Sequence, residues 1–414
     1  MIENYITNIF VKESINIRDF NIPLSENKRQ HLILTGKNGS GKTSLLLEIK
    51  KYITLIDDGQ FMRLINDKDH YKHLKEQLAD PNFNDSTLLT HRAVNNYEIL
   101  QKLAGGTEIN FSGTTKDLIT KSESGNFILA FFDSKRHTRL NIPTGINKVE
   151  LNKKYSITEQ VNLNFIQFIV NLKADRSFAR DDNELDTVEK IDKWFNDLEN
   201  RLKLIFDAEN LELRFDRKTY NFDIIINNLE PFNFNTLSDG YSSIISIVTE
   251  LLLRMEAHQA KFYDLEGIVI IDEIETHLHV DLQKKIFPFL TDFFPKIQFI
   301  VTTHSPFVLS SISNATICDL ETRIITTDLS SYSYDTLIES YFGIDKYSEE
   351  VKQKVLDFEN LILKEELSFS EEHHLKELKS YFDHSPKYLS NELRVKLQEI
   401  ELNAILKNKK RKSE

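Results

Sequence analysis

One cysteine in 414 residues, Cys318, leaves no partner for an intramolecular disulfide and no multi-cysteine zinc site, a usage that fits a reducing cytosol. Alone, Cys318 reads as a small apolar residue bound for the interior. No apolar run approaches the roughly 20 residues of a membrane helix. The opening MIENYITNIFVKES has no basic start followed by an apolar core. A soluble, cytoplasmic protein with no membrane partner is the expectation. An excess of positive charge is missing too: 64 acidic residues outnumber 52 basic ones, for a formal net charge of −12. Any contact with nucleic acid therefore has to be local. Internal repeats and long heptad arms are absent, and after residue 310 no carboxylate cluster with a lysine and no paired-histidine pattern marks a nuclease.

What is present suits a folded enzyme. Forty per cent apolar residues over this length can bury a core in two or three domains. Residues 5–35 alternate short apolar runs with polar breaks, reading as edge strands that lead into a buried one, HLILT. Leu45, Ile49, Tyr52, Ile53 and Ile56 follow at helical spacing. From 57 to 207 charged helix-like pieces surround the apolar run FILAFF, and this span is expected to be an inserted, mostly helical lobe. NLELRFDRKTYNFDIII predicts a hairpin turning at RKTYN. SIISIVTELLLRMEA predicts a strongly apolar helix, and GIVII and IQFIV are apolar at every position, as strands covered on both faces are. A helix over about 280–294 contains Pro288, where a bend is expected. The alternation predicts an α/β fold with a mixed or parallel central sheet, split between 1–56 and 208–330. Residues 331–414 predict a helical extension with a basic tail. There Val351, Val355, Phe358 and Ile362 form one stripe, Leu393, Leu397 and Ile400 another, and Ser368 and Glu371 have capping-box spacing.

Four motifs carry chemistry. GKNGSGKTS, residues 36–44, satisfies G-x-x-x-x-G-K-[ST] between a strand and a helix. Its glycines let backbone N–H groups face phosphate oxygens at a helix N-terminus. Asn38, Gly39, Ser40, Gly41, Lys42, Thr43 and Ser44 are the expected ATP-binding set, with Lys42 reaching the phosphates and the Thr43 hydroxyl ligating Mg²⁺. In IVIIDEIETHLH, Asp272 ends a buried strand, where a carboxylate is costly unless a cation or donor meets it, so it is expected to hold Mg²⁺. Glu273, one residue on, is placed to polarise the attacking water. In FIVTTHSP, His304 ends a second buried strand and is expected against the γ-phosphate. In NTLSDGYSS, Ser238, Asp239 and Gly240 open a helix and offer a further anion site, although a plain helix cap accounts for them equally well. One γ-phosphate does not need two helix N-termini from one subunit, so this site suits a nucleotide on another copy.

In this order the four motifs resemble the ATP-binding-cassette superfamily, in its soluble branch of RecF-like, Structural-Maintenance-of-Chromosomes-like and OLD-like ATPases. TLSDGYSS, IIDEIETHLH and VTTHSP are similar to the stand-alone ATPases of bacterial anti-phage defence operons, such as Septu and retron systems. The resemblance implies a head-to-tail homodimer or higher oligomer that closes on ATP and opens on hydrolysis, regulating a separately encoded effector, often a nuclease in that group. It implies catalytic roles for Glu273, His304 and Asp272. Departures are Asp239 and Tyr241 in the signature, Ile274 and Val280 where the group often has proline, and no assignable metal-sensing glutamine, with Gln60 and Gln167 as candidates. His277 and His279, two apart and without a third ligand, make a poor metal site. Two rivals stand beside this reading: a DNA-repair ATPase that clamps duplex DNA, with Lys135, Arg136, His137 and Arg139 as its contact, and a nucleotide-dependent scaffold with little turnover.

Overall fold

The computed structural model describes residues 3–79, 88–136, 139–227, 229–258, 264–331, 337, 349–364, 367–384, 395, 397–400 and 402. Internal contacts divide the chain into two units, Met1–Tyr334 and Asp335–Glu414.

The first unit begins with β1 (Ile6–Ser14), β2 (Ile17–Pro23) and β3 (His31–Thr35), then α1 (Lys42–Asp57), α2 (Phe61–Ala79) and α3 (Leu88–Ala104). It continues through β4 (Thr107–Phe111), α4 (Thr115–Glu123), β5 (Phe127–Phe132), α5 (Phe165–Asp181), α6 (Leu185–Phe206), β6 (Glu212–Asp216), β7 (Asn221–Ile225) and β8 (Phe232–Asn233). It ends with α7 (Asp239–Glu256), β9 (Glu266–Ile271), α8 (Val280–Phe293), β10 (Ile297–Thr302), α9 (Pro306–Leu309), β11 (Ala315–Asp319) and β12 (Ile325–Thr327).

The central sheet has the order β12-β11-β3-β10-β9-β5, with β11, β3, β10, β9 and β5 mutually parallel and β12 antiparallel at the edge. Both faces are covered, which is why these strands are apolar throughout. Leu32, Leu34, Ile268, Ile270, Ile300 and Cys318 pack into one cluster with Leu45, Leu46, Ile49 and Ile53 of α1. The intervening Ile33, Val269, Ile271, Phe299, Val301 and Ile317 are buried as well. Cys318 thus sits in the core, and burial pushes its thiol up to about 12. Two antiparallel sheets, β2-β1-β4 and β6-β7-β8, flank the centre, the second being the expected hairpin plus one short strand.

Strand pairing corrects the expected inserted lobe. β4 and β5 lie within 57–207, yet β4 extends the β1-β2 sheet and β5 is an edge of the central sheet. FILAFF is too apolar to lie alone among charged helices, and β9 supplies the partner that covers its backbone. α7 starts at Asp239, four residues before the apolar run, and is buried at every position from Ser242 to Met255. Pro288 lies inside α8. No helix among the described residues is long and apolar enough to cross a membrane.

In the second unit, helices Glu349–Ile362 and Phe369–Asp383 bury Val355, Phe358, Leu378 and Phe382 together with Ile400. Ser368 and Glu371 form a full capping box. Leu393 and the basic end 407–414 lie outside the described residues.

Candidate functional site

Parallel strands put their carboxyl ends on one edge of the sheet, and register brings five of them level. Leu34 pairs with Thr302, Val301 with Ile271, Ile271 with Phe132, and Thr35 with Asp319. The residues that follow these pairs face one crevice.

The loop between β3 and α1 is built on three glycines with positive φ, Gly36 at 127°, Gly39 at 84° and Gly41 at 98°. A Cβ on Gly36 would come within 2.9 Å of Ser40 Oγ and 3.1 Å of Asp319 Oδ1, so only glycine fits there. The Asn16 amide donates to Gly39 O at 2.7 Å and steadies the loop from the β1–β2 turn. Lys42, 6% exposed, donates through Nζ to Gly36 O at 2.9 Å and Lys37 O at 3.1 Å. Burial lowers its pKa against the pull of Glu273, Glu275, Asp272 and Asp319.

Thr43 and Asp272 meet as their sequence contexts predict. Thr43 Oγ1 donates to the Asp272 carboxylate at 3.1–3.2 Å, and Thr302 Oγ1 donates to Asp272 Oδ1 at 2.6 Å. Thr302 was not singled out in the sequence, where it is one of two threonines preceding His304. Glu273 holds a left-handed conformation, φ 46°, uncommon for a residue with a long side chain. The turn sustains it because every backbone group of 272–274 is engaged. The three N–H groups donate to Phe132 O, Thr302 Oγ1 and Thr302 O. All three carbonyls accept from one guanidinium, that of Arg136: Nη1 to Asp272 O at 2.6 Å, and Nη2 to Glu273 O at 2.9 Å and Ile274 O at 3.4 Å.

Arg136 is therefore a correction to the basic patch expected at 135–139. It is 4% exposed, and burial pulls its pKa down to about 10. Its Nη1 also donates to Asp133 O at 2.7 Å, and its Nε to Ser243 Oγ of α7 at 3.1 Å. Sequence shows charge and not burial; the signal was its place just past the end of the buried run FILAFF. Lys135 and Arg139 are exposed, and His137 lies outside the described residues. Arg136, turned inward, does not share a surface with Lys135 and Arg139.

Glu275, the third acid of the strand-end motif, was also missed. Its Oε1 accepts from the His304 backbone N–H at 2.5 Å, and burial raises its carboxyl above the usual carboxylate range. This tethers the β10 end to the acidic turn. The His304 imidazole is held below its usual pKa by burial first and then by Lys42, with Glu273 and Asp272 opposing, which favours its neutral form. Ser305 Oγ caps α9 and donates to Gln283 Oε1 at 2.6 Å.

Gln60 and Gln167 do not reach the crevice. Gln60 follows the far end of α1, and the 16 residues of that helix span about 24 Å. Gln167 Nε2 is engaged locally by Gly145 O and Asn171 Oδ1. At the other expected half-site, Ser238 is the N-cap of α7 but makes no side-chain capping bond, and Ser238 and Asp239 are exposed. The plain cap thus loses its support. Gly240 is buried against the loop after the acidic pair, where a Cβ would lie 3.0 Å from His277 O. A cavity of about 850 Å³ between β1, β4, α2 and α3 contains none of these residues.

The residues fit a nucleotide and a hard cation. Ser40 Oγ, inside the loop, is buried without a partner. Thr43 and Asp272 offer adjoining oxygens, the donor type that Mg²⁺ takes. A glycine loop at a helix N-terminus, with its threonine on an acid that ends the next-but-one parallel strand, defines an α/β P-loop ATPase fold. The chain belongs to the family described as "AAA domain, putative AbiEii toxin, Type IV TA system", whose profile matches residues 32–310. The Septu protein PtuA of Bacillus mycoides (strain KBAB4) is 26% identical over 320 residues, 75% of this chain and 39% of that protein. The "Retron Vc95 probable ATPase" of Vibrio cholerae serotype O1 biovar El Tor is 24% identical over 359 residues, 71% of this chain and 69% of that one. The SMC head domain from Thermotoga maritima aligns with 75% of this chain and 94% of its own at 13% identity, with a TM-score of 0.34. The resemblance to Septu and retron ATPases read from the motifs is matched by these relatives, although the chain spans only 39% of the PtuA protein's length.

Proposed function

We propose that the protein binds and hydrolyses ATP as a molecular switch, pairing head to tail with a second copy and regulating a separately encoded effector in anti-phage defence. The observation that carries the ATPase reading is the hydrogen-bonded bridge Thr43–Asp272–Thr302, which joins the phosphate loop to two strand ends. In this reading Lys42 and the N–H groups of 38–44 bind the phosphates, and Thr43 and Asp272 hold Mg²⁺. The ion, when bound, offsets phosphate charge. Glu273, held in its left-handed conformation beside Asp272, orients the attacking water and takes its proton. The neutral His304 imidazole offers a hydrogen bond toward the γ-phosphate without adding charge.

Head-to-tail pairing is supported by the exposed, uncapped start of α7 at Ser238 and Asp239, a second helix N-terminus suited to an anion from another copy. The defence role is supported by the names of the Septu and retron relatives. The helices α5 and α6 and the unit Asp335–Glu414 are the proposed surfaces for the effector.

The test compares wild type, Lys42→Ala and Glu273→Gln by phosphate release and by light scattering with ATP and Mg²⁺. Lys42→Ala should lose binding. Glu273→Gln should accumulate an ATP-dependent dimer while turnover falls about 10²–10⁴-fold. Equal turnover in Glu273→Gln and wild type sinks the catalytic assignment, and monomers throughout sink the composite site.

A further inference from the structure

The geometry points to Arg136 as a positioning residue that couples the acidic turn to the start of α7, linking the phosphate-loop half of one subunit to the half it presents to its partner. This deepens the proposed ATP-driven switch and rests on it.

The turn 272–274 has no free backbone group. Its N–H groups are fixed by β5 and β10, and its carbonyls by Arg136, so it moves as one piece with the guanidinium. The guanidinium is planar and forked, so displacing one bonded edge displaces the other. That other edge, Nε, holds Ser243 Oγ, one turn beyond Gly240 in α7, on a residue 2% exposed. A second contact joins the same two elements: Gly240 lies so close to His277 O that even a Cβ would be crowded, at 3.0 Å.

Further along, α7 is pinned to β5 and to the chain after it. Arg254 pairs with Glu250 at 2.7 Å and donates to Leu129 O at 2.8 Å and Ser156 O at 3.0 Å. Glu250 accepts from the N–H groups of Val161 and Asn162, both at 2.8 Å. Helix α7 therefore cannot follow the acidic turn as a loose helix; its first turns tilt about a fixed far end. Ligation at Thr43 and Asp272 bears directly on that turn through the Asp272 carboxylate, and Arg136 carries the shift to Ser243.

Hydrogen exchange read by mass spectrometry tests the coupling inside one subunit. A Ser238→Arg background, changed at an exposed residue with no capping bond, blocks pairing and keeps the protein monomeric. Adding Ser243→Ala removes only the α7 end of the clamp. Adding a non-hydrolysable ATP analogue with Mg²⁺ should slow exchange at 38–46 equally in both proteins. At 241–247 it should change exchange by about fivefold in Ser238→Arg and hardly at all in Ser238→Arg/Ser243→Ala. Arg136→Lys, which keeps the charge but not the fork, should match Ser243→Ala, a result that separates coupling from the loss of one hydroxyl. Equal changes at 241–247 with and without Ser243 overturn the proposal. No slowing at 38–46 in either protein overturns the ATP reading itself.

Discussion

Truncating Arg136 to alanine removes the donor for four carbonyls and one hydroxyl at a position 4% exposed. Two opposing quantities set the size of the effect. The buried charge carries a net electrostatic cost even with four carboxylates opposing it, visible as a pKa drawn from 12.5 down to about 10, which corresponds to about 3 kcal/mol. Against it stand five hydrogen bonds from a charged donor at about 1.5–3 kcal/mol each, roughly 7–15 kcal/mol in all. The net favourable contribution is then about 4 kcal/mol at the lower end, before the carbonyls of 272–274 find other donors. A loss of about 3–6 kcal/mol is a large part of the 5–15 kcal/mol that holds a typical domain folded. Urea denaturation of the full chain at pH 7.5 should show this loss. The Glu273 conformation depends on the same bonds, so ATP turnover should fall further than stability alone explains at temperatures where the variant is folded. An Arg136→Ala protein within about 1 kcal/mol of wild type would mean that water replaces the guanidinium and that the turn supports itself, which refutes this account.

Two other changes test the fold around the site. His31 is buried between Phe287 and Phe299, accepts from Phe299 N–H at 3.1 Å, and is held by burial at about 3 against the usual 6.5. Its folded pKa is depressed, so its contribution is intact above pH 6.5 and declines as pH falls toward 3; the loss is about 1.4 kcal/mol by pH 5.5. His31→Asn, which keeps an acceptor near Nδ1, should lose stability between pH 7.5 and 5.5 by that much less than wild type in urea titrations, and parallel losses would count against a buried neutral imidazole. Gly36→Ala places a Cβ 2.9 Å from Ser40 Oγ and 3.2 Å from Glu321 N at φ 127°, with a strain of about 1–3 kcal/mol. Fluorescent-nucleotide titration should show affinity down by about tenfold or more, and unchanged affinity would show that the loop relaxes freely.

How far the chain could be read in advance depended on the range of the physics at each position. The phosphate loop is local chemistry: Gly36, Gly41, Lys42 and Thr43 need their types and spacing, a strand before and a helix after, and all of that lies within some 25 residues of one another. Asp272 was legible for a similar reason, since a carboxylate ending four apolar residues demands a partner. The Ser368 capping box and the hairpin at 217–220 were short-range patterns of the same kind. FILAFF was visible as apolar but not as the edge of the central sheet, because its partner strand lies more than a hundred residues on and no local signal marks that register.

Arg136 and Glu275 show the other limit. An arginine in DSKRHTR looks the same whether it faces water or four carbonyls, and a second glutamate in DEIE looks like surface charge. Residue type and spacing sufficed for the strand–loop–helix at 31–57, the strand ends at Asp272 and His304 and the class of fold, because helix and strand patterning act over a few residues. Only the folded chain decided which charges are buried, which strand completes the sheet, and how the acidic turn is joined to α7. Those outcomes depend on desolvation and hydrogen-bond closure between segments more than a hundred residues apart, and the free energy of a buried charge is set by the partners that folding brings to it.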